Sequence, residues 1–371
     1  MSKRRRGEGQ HRRKTAPTFG ISLEPTWRIY DSLKLAMLAE RLGFSTVWVP
    51  DGGPAPPYSD TIVTLSAIAS HTTKIRLGSA VLNFYTRNPA FIASSFLALS
   101  DLASSSSSAS ASVSSASGAS RKSANSSQRA ILGIGIGSTY NVSKIGIGKR
   151  SGTVTDLREA IESIRELFNG KEVTVRTDSF AIENVLLSKS MLGKIPIHVG
   201  AGGPRALRLA GEIADGIILT DRVASDIETS MTPVTMGLAE SSRSRKELEV
   251  TNSIVISVDE NPERARDLAR PTCAYLVSWV DDERASDLGF DLERKQRISK
   301  YLSAGDESSA ARLVDDKMVS TLTVSGKPSE CIEKCREHLA HSIDHLAFCE
   351  PFGRNAANGI SLIARKVIPG L

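Results

Sequence analysis

The stretch KIPIHVGAGGPRALRLAGEIADGIILTD, residues 194–221, contains one full repeat of a strand and helix pattern. An apolar strand at 195–199 leads into a glycine loop at Gly200–Gly203. Pro204 stands where a helix accepts proline, in its first turn, because that position needs no N–H donor. Apolar residues at helical spacing follow, and a second apolar strand ends the unit at 216–220. The stretch therefore predicts a strand, loop, helix and strand of an α/β fold.

The glycine loop of this unit has two interpretations. A strand that ends in glycines and opens a helix can present backbone N–H groups and the positive end of a helix dipole to a phosphate. Alternatively, the turn needs glycine only for its backbone angles. The spacing differs from the GxGxxG pattern of dinucleotide folds, so the residues alone leave both interpretations open.

The same alternation extends along the chain from Thr18. Eight strands are predicted, at residues 19–23, 46–49, 75–82, 130–135, 195–199, 216–220, 249–258 and 344–349. Helical sequence follows each of them, and the region 262–311 is long enough to add extra helices between the seventh and eighth strands. We therefore expect an α/β fold of the TIM (β/α)8 barrel type over residues 18–371, with a doubly wound open sheet as the alternative.

Two segments stand outside this alternation. Serine occupies 14 of the 24 positions in 104–127, so this stretch cannot bury enough apolar surface to offset its ordering entropy. It is predicted to be a flexible, functionally silent loop at the face of the barrel opposite the active site. Residues 1–17 are predicted to be a disordered basic tail.

The net charge of +6 comes from that tail rather than from the folded body. Residues 1–14 carry seven of the 47 Lys and Arg and one of the 41 Asp and Glu, so the remaining charges balance. A neutral body argues against a nucleic-acid-binding face, and only the tail could contact nucleic acid or anionic lipid. The sequence lacks an apolar run of the ~20 residues that span a bilayer, and it lacks a signal-peptide core. A cytoplasmic protein that does not enter the membrane is expected.

The cysteines and histidines do not form a recognisable metal motif. Cys331 and Cys335 are one helical turn apart, and neither belongs to a CxxC pair or a Cys/His cluster. We expect reduced thiols and no metal site.

In a barrel of this type, the chemistry lies at the carboxyl ends of the strands. Glu24 is a candidate proton donor there, with an exposed loop acid as the alternative. Asp51 either binds substrate or caps the next helix. His198 is interpreted as a packed core histidine rather than a general base. Glycine dominates these ends, which suits a large, flat, phosphate-bearing cofactor better than acid–base catalysis by side chains.

Several stretches together resemble the bacterial-luciferase-like flavin and deazaflavin enzymes. Within these enzymes the chain is most similar to the coenzyme F-420-dependent methylenetetrahydromethanopterin reductases. The stretches are FGI (19–21), LAERLGFSTVWVPD (38–51), IRLGSAVLNFYTRNPAFIAS (75–94), RAILGIGIGS (129–138), REAIESIRELFNGK (158–171), IPIHVGAGGPRALRLAGEIADG (195–216), SVDENPERA (257–265) and VSGKPSECI (324–332). The resemblance excludes the Ser-rich segment.

The resemblance implies a reduced deazaflavin, coenzyme F-420, as the cofactor, with FMN as the alternative. It implies a non-prolyl cis peptide at Ala80–Val81 under the cofactor ring. The implied reaction is hydride transfer to the methylene carbon of a methylene-tetrahydropterin, in a homo-oligomer. The implied catalytic residues are Glu24 and Asp51. The implied cofactor-binding residues are Ala80, Val81, Asn83, Gly135, Gly137, Ser138, Gly200, Ala201, Gly202 and Gly203.

Three polar positions depart from the family's pattern. Ser22 stands where the first strand usually carries an acid, Gly52 where a histidine follows the aspartate, and Ser138 where an aspartate follows the glycines of the fourth strand. The resemblance still implies a deazaflavin as the cofactor, but these changes leave the identity of the substrate open. The alternatives are a paralogue with another substrate, an FMN-dependent monooxygenase, and a binding protein that keeps the barrel without catalysis.

Overall fold

A computed structural model describes residues 16–24, 28–52, 59–109, 128–137, 153–187, 194–220 and 222–371. The strands are β1 Thr18–Ser22, β2 Thr46–Val49, β3 Arg76–Ser79, β4 Leu82–Asn83, β5 Ala130–Gly135, β6 Val173–Arg176, β7 Ala181–Val185, β8 Ile197–Gly200, β9 Gly216–Thr220, β10 Glu249–Val258, β11 Val324–Gly326 and β12 His345–Phe352. The helices are α1 Ile29–Arg41, α2 Thr61–His71, α3 Pro89–Ala109, α4 Thr153–Phe168, α5 Pro204–Ile213, α6 Ala224–Glu240, α7 Pro262–Trp279, α8 Asp282–Asp287, α9 Leu292–Ser303, α10 Glu307–Leu313, α11 Asp316–Leu322, α12 Pro328–Leu339 and α13 Ala356–Leu362.

Eight parallel strands close into a ring in the order β1, β2, β3, β5, β8, β9, β10 and β12. The ring closes because β12 pairs with β1, where Ala347 lies opposite Gly20. On the far side, Thr251 of β10 lies opposite Ile218 of β9. The predicted TIM barrel is confirmed, and the open-sheet alternative is wrong.

The barrel interior is apolar in its middle layer and polar near the amino ends of the strands. Trp48, Ile131, Ile218 and Ala347 form the apolar layer. At the polar end, the guanidinium of Arg76 donates two hydrogen bonds to the carboxylate of Glu249, at 2.8 and 2.7 Å. Burial alone would raise the pKa of Glu249, but the bonds from Arg76 outweigh burial and lower that pKa to about 2.

Two histidines are buried at this polar end. His345 Nε2 accepts a hydrogen bond from Trp48 Nε1 at 3.1 Å, and burial lowers the pKa of His345 to about 3. The ring is therefore neutral, with its proton on Nδ1, which donates to Thr18 Oγ1 at 2.8 Å. His198 is 1% exposed, and burial lowers its pKa to about 4. The interpretation of His198 as a core histidine is confirmed.

The Ser-rich segment begins within a helix. The helix α3 continues to Ala109, so the prediction of a loop from residue 104 is wrong for 104–109. Ala103 is buried, and the hydroxyls of Ser104 and Ser105 donate to carbonyls one turn earlier, at 2.9 and 3.0 Å. These bonds satisfy both hydroxyls within the helix, and the buried Ala103 packs the preceding turn against the core. Residues 110–127, and residues 1–15 of the predicted tail at 1–17, lie outside the described residues.

The extra helices predicted between the last two barrel strands are confirmed. The helices α7–α11 enclose a second apolar core that includes Cys273, Met318 and Phe290. This core reaches the barrel at Val255 of β10 and Cys349 of β12. The strand β11 joins β10 as an additional parallel strand and was not predicted, because only three residues form it. The antiparallel hairpin of β6 and β7 was also missed.

The four cysteines are free thiols, three of them buried. Burial raises the pKa of Cys273 and of Cys331 to about 12. None of the helices in the described part of the chain is long and apolar enough to cross a membrane.

Candidate cofactor site

The mouth of the barrel is shaped by a non-prolyl cis peptide between Ala80 and Val81. The peptide lies between β3 and β4, and β4 continues along β5, with Leu82 opposite Ile134. The predicted cis peptide on the third barrel strand is confirmed. It places the side chain of Val81 among the carboxyl ends of the neighbouring strands.

Two of the predicted glycines are explained by Val81. A Cβ atom at Gly135 would lie 2.9 Å from Val81 Cγ2, and one at Gly200 would lie 2.8 Å from Val81 Cγ1. Gly133 has a different neighbour, because its Cβ would lie 1.9 Å from the carbonyl oxygen of Ser79. At these positions glycine lets neighbouring strands and the Val81 side chain approach each other, and the contact of Gly135 and Gly200 with a cofactor stays a prediction.

Asn83 organises the loop that follows β4. Its Oδ1 accepts hydrogen bonds from the backbone N–H groups of Tyr85 and Thr86, at 3.2 and 2.9 Å. Gly137 has a φ of 77°, and its Cβ would lie 3.2 Å from Asn83 Cβ. The side-chain oxygen of Asn83 is thus engaged in a turn. Ser138, the next predicted position, lies outside the described residues.

The glycine loop is open at its second half. The N–H of Ala201 donates to the carbonyl of Ile218 at 3.3 Å and belongs to the barrel sheet. Gly202 and Gly203 are exposed, and a Cβ at Gly203 would meet nothing within 4 Å. Gly203 is the N-cap of α5, and no side chain caps the helix. The first-turn amides of α5 therefore face open space.

Arg222 lies beside this loop and was missed by the sequence analysis. Its Nη2 donates to the carbonyl of Gly202 at 2.6 Å. Its Nε is buried without an acceptor, and no described carboxylate pairs with its guanidinium. Arg222 lies two positions after the last residue of β9, so its place near a strand end was the available signal. An arginine without a carboxylate partner, beside open helix amides, is suited to bind a phosphate.

The candidate catalytic acids follow neighbouring strands. Glu24 is half-buried with an inaccessible Oε2, so the alternative of an exposed loop acid is wrong. Its backbone N–H donates to Oε1 of Glu350 at 3.1 Å, and burial raises the pKa of Glu350. Asp51 also has a buried carboxylate oxygen. The helix-cap alternative for Asp51 is wrong, because Asp60 caps α2 through bonds to Ile62 N and Val63 N.

Two of the departures from the family pattern are described. Ser22 is buried at the end of β1, opposite Cys349, and Gly52 is buried after Asp51. Among the residues with described positions, no group of three or more His, Cys, Asp or Glu side chains is arranged to hold a metal ion. The mouth therefore combines a bulged strand, an open glycine loop beside Arg222 and a few half-buried acids.

Comparison with known proteins identifies the fold family. The family model described as luciferase-like monooxygenase matches residues 15–104 and 124–345, which is most of the chain. The chain belongs to the luciferase-like monooxygenase family. The matched residues leave out part of the Ser-rich segment, as the sequence pattern suggested.

Within the luciferase-like family, the chain is similar to deazaflavin enzymes. It is 29% identical to the 5,10-methylenetetrahydromethanopterin reductase of Methanolobus tindarius, over 95% of this chain and 99% of the relative. It is 27% identical to a coenzyme F-420-dependent glucose-6-phosphate dehydrogenase of Nakamurella multipartita, over 91% of each chain. The solved coenzyme F-420-dependent tetrahydromethanopterin reductase of Methanopyrus kandleri superposes with a TM-score of 0.83 at 25% identity, covering 96% of this chain and 99% of that one.

Proposed function

We propose that this chain is a coenzyme F-420-dependent oxidoreductase that reduces a methylene-tetrahydropterin to its methyl form. The observation that carries the proposal is the pairing of Arg222 with the open amides at Gly202 and Gly203. This pairing stands at the mouth of a luciferase-like barrel whose relatives include coenzyme F-420-dependent reductases and dehydrogenases.

The residues present fit a deazaflavin with a phosphate. Gly202, Gly203 and the first-turn amides of α5 would hold the phosphate, with Arg222 supplying the opposite charge. The bulge at Ala80–Val81 would lie beneath the ring system. When bound in its reduced form, coenzyme F-420 supplies a hydride to an acceptor that lies against its ring.

The protein's own contribution is to orient two ring systems and to exclude water. Hydride transfer between bound rings depends on close alignment, which a rigid barrel mouth provides. Val81 is held between Gly135 and Gly200, and the helices α7–α11 pack against the ends of β10 and β12 at Val255 and Cys349. Glu24 and Asp51 remain the proposed catalytic acids, because their half-buried carboxylates follow adjacent strands at this mouth.

Which acceptor this coenzyme F-420-dependent enzyme reduces is a separate proposal. The relatives that are 5,10-methylenetetrahydromethanopterin reductases support a methylene-tetrahydropterin as the substrate. Another relative is a coenzyme F-420-dependent glucose-6-phosphate dehydrogenase, so one cofactor serves different substrates among the relatives. Ser22 and Gly52 take the places where the pattern carries an acid and a histidine, so a paralogue with another acceptor is the second candidate. We assign both candidates to the same cofactor site.

The test is anaerobic titration of the purified chain with coenzyme F-420 and with FMN, followed by turnover of reduced coenzyme F-420 with a panel of methylene-tetrahydropterins. We expect micromolar or tighter binding of coenzyme F-420 and oxidation of the reduced form by a pterin. Tight binding of FMN alone would support the monooxygenase alternative. Binding of coenzyme F-420 without turnover of any acceptor would support the binding-protein alternative.

We further propose that the protein is a cytoplasmic homo-oligomer. The helices α1 and α3 carry two large exposed aromatic side chains, Tyr30 at 63% and Phe91 at 74%. Both are near the amino ends of their helices, at the mouth side of the barrel. A second copy of the chain would cover them. Tyr30→Glu combined with Phe91→Glu should shift the protein to a monomer in sedimentation, whereas an unchanged sedimentation coefficient would reject this surface.

A further inference from the structure

A cavity of about 250 Å³ lies behind the glycine loop, between α6 and α12. One wall is the connection from β9 into α6, residues 222–225, and the opposite wall includes Lys334 and His338 of α12. Residues 320–324 line a third side. Arg222 belongs both to this cavity and to the candidate phosphate site, because its guanidinium bonds to Gly202. The cavity therefore continues the candidate phosphate site outward from the barrel mouth.

His338 lines this cavity and carries a hydrogen-bond donor that its protein contacts leave unused. Asn252 Nδ2 lies 3.2 Å from the carbonyl of Arg222 and 3.0 Å from His338 Nδ1, so it donates toward both acceptors. His338 is 9% exposed, and burial lowers its pKa to about 4, so the ring is neutral at neutral pH. A neutral imidazole that accepts at Nδ1 carries its proton on Nε2. This Nε2–H has no acceptor among the residues that the structure describes.

Further donors converge on the same space. The ammonium of Lys334 bonds to the backbone carbonyls of Ser320 and Thr323, without a hydrogen-bonded carboxylate. The helix α6 is 17 residues long, and its N-cap, Val223, provides no side-chain cap for the first amides. Glu337 is the one carboxylate in the lining, and it is exposed. With His338 neutral, the lining carries two positive charges and one negative charge.

We propose that this cavity binds a carboxylate or phosphate group, with His338 Nε2, Lys334 and Arg222 as its donors. Two sources can supply such a group. One is the acidic tail that extends beyond the phosphate of coenzyme F-420, which rests on the proposed function. The other is free inorganic phosphate. The volume is sufficient for either, since a water molecule occupies about 30 Å³ of liquid.

The experiment compares the full chain with His338→Phe, which removes the Nε2–H and keeps a ring, and with His338→Gln, which keeps a donor. His341→Phe is the matched control, because His341 bonds to Glu228 and does not line the cavity. Calorimetry would measure the dissociation constants of coenzyme F-420 with its glutamate tail and of a form that ends at the phosphate. Thermal melting with added inorganic phosphate would test the second source.

If the tail is the occupant, His338→Phe should weaken binding of the tailed coenzyme about tenfold, the scale of one hydrogen bond to a charged group. Binding of the shortened coenzyme should not change, and His338→Gln should recover part of the loss. If inorganic phosphate is the occupant, it should raise the melting temperature of the unmodified chain and of the control but not of His338→Phe. The proposal is overturned if His338→Phe binds the tailed coenzyme as tightly as the unmodified chain does and is also stabilised by inorganic phosphate to the same extent.

Two further measurements keep the result interpretable. Lys334→Gln removes a charge from the same wall of the cavity and should reproduce the discrimination if His338→Phe fails to fold. Failure of the shortened coenzyme to bind the unmodified chain would count against the proposed function. Thermal melting with inorganic phosphate would still show whether the cavity binds an anion.

Discussion

The side chain of Val81 fills the space that a Cβ atom at Gly200 would occupy, since that atom would lie 2.8 Å from Val81 Cγ1. The contact joins the bulge after β3 to the end of β8. Gly135, at the end of β5, meets the same side chain. Three strand ends around the candidate cofactor site are therefore fixed by one valine and two glycines.

Adding a methyl group at this contact should damage both stability and cofactor binding. Gly200→Ala forces Val81 to move, and overpacking of this kind costs about 2 kcal/mol of unfolding free energy. Urea unfolding and titration with coenzyme F-420 would measure the two effects. The double variant Gly200→Ala, Val81→Ala should regain most of the stability, because the shorter side chain leaves room. A Gly200→Ala protein with unchanged unfolding and binding would show that the contact is unimportant.

Arg222 should matter for the phosphate of the cofactor and not for its ring. Arg222→Met removes the charge while keeping an unbranched side chain, and we expect binding of coenzyme F-420 to weaken about 30-fold. Binding of a deazaflavin that lacks the phosphate should be unaffected. Arg208→Met is the control, because Arg208 pairs with Glu240 on the surface. Equal losses for both ligands would indicate a general distortion of the loop.

The ion pair at the amino end of the barrel should be important for stability. Glu249→Gln leaves the guanidinium of Arg76 without its carboxylate. Both side chains are half-buried, so the expected loss is about 2 kcal/mol, below the range for a fully buried pair. Thermal unfolding would measure the loss at neutral pH. Glu247→Gln is the control, because Glu247 is exposed and its partners are local. A loss no larger than that of the control would mean that water replaces the pair without cost.

The same pair predicts a direction of pH dependence. Glu249 has a pKa of about 2 in the folded state, below its ordinary value of 4.5, so folding favours its ionised form. Its contribution to stability is present above the ordinary value and is lost as the pH falls from about 4.5 toward 2. The difference in unfolding free energy between the native chain and Glu249→Gln should therefore shrink over this range. A difference that is constant with pH would contradict the assignment.

The Ser-rich segment should be dispensable. Arg129 bonds to the carbonyls of Thr72, Ala103 and Ile75, at 2.8, 2.9 and 3.0 Å, and so anchors the chain where it enters β5. Replacing 110–127 with a glycine–serine linker of equal length should leave the melting temperature within about 1 °C, because a segment of this composition has little apolar surface to bury. Turnover should also be unchanged. A clear loss of turnover would give the segment a role that its composition does not predict.

The barrel was predictable because each strand is a short apolar run followed by a helical pattern. The unit at 194–220 contains all of these signals, and its strand and helix were found within two residues of their predicted bounds. The hairpin of β6 and β7 was missed because its burial alternates irregularly, with exposed residues on both strands. Short edge elements leave little periodicity to detect.

The site was less predictable than the fold because its contacts join distant parts of the chain. Arg222 and Gly202 are 20 positions apart, and Glu24 and Glu350 are 326 positions apart. The sequence could not show whether Gly135 and Gly200 pack against a neighbouring side chain or contact a ligand. The structure places the Val81 side chain between them, which explains the packing role. The resemblance identified Ala80–Val81 as a bulge, but residue spacing alone gave no reason to expect one.

The pairing of β1 with β12 also has a consequence during synthesis. The first and last barrel strands are neighbours, so seven strands are translated before the eighth can close the ring. Until then, the nascent sheet has two unpaired edges, at β1 and at β10, that can capture other chains. Ribosome-bound chains that stop before β12 should therefore recruit chaperones more strongly than chains in which β12 has emerged.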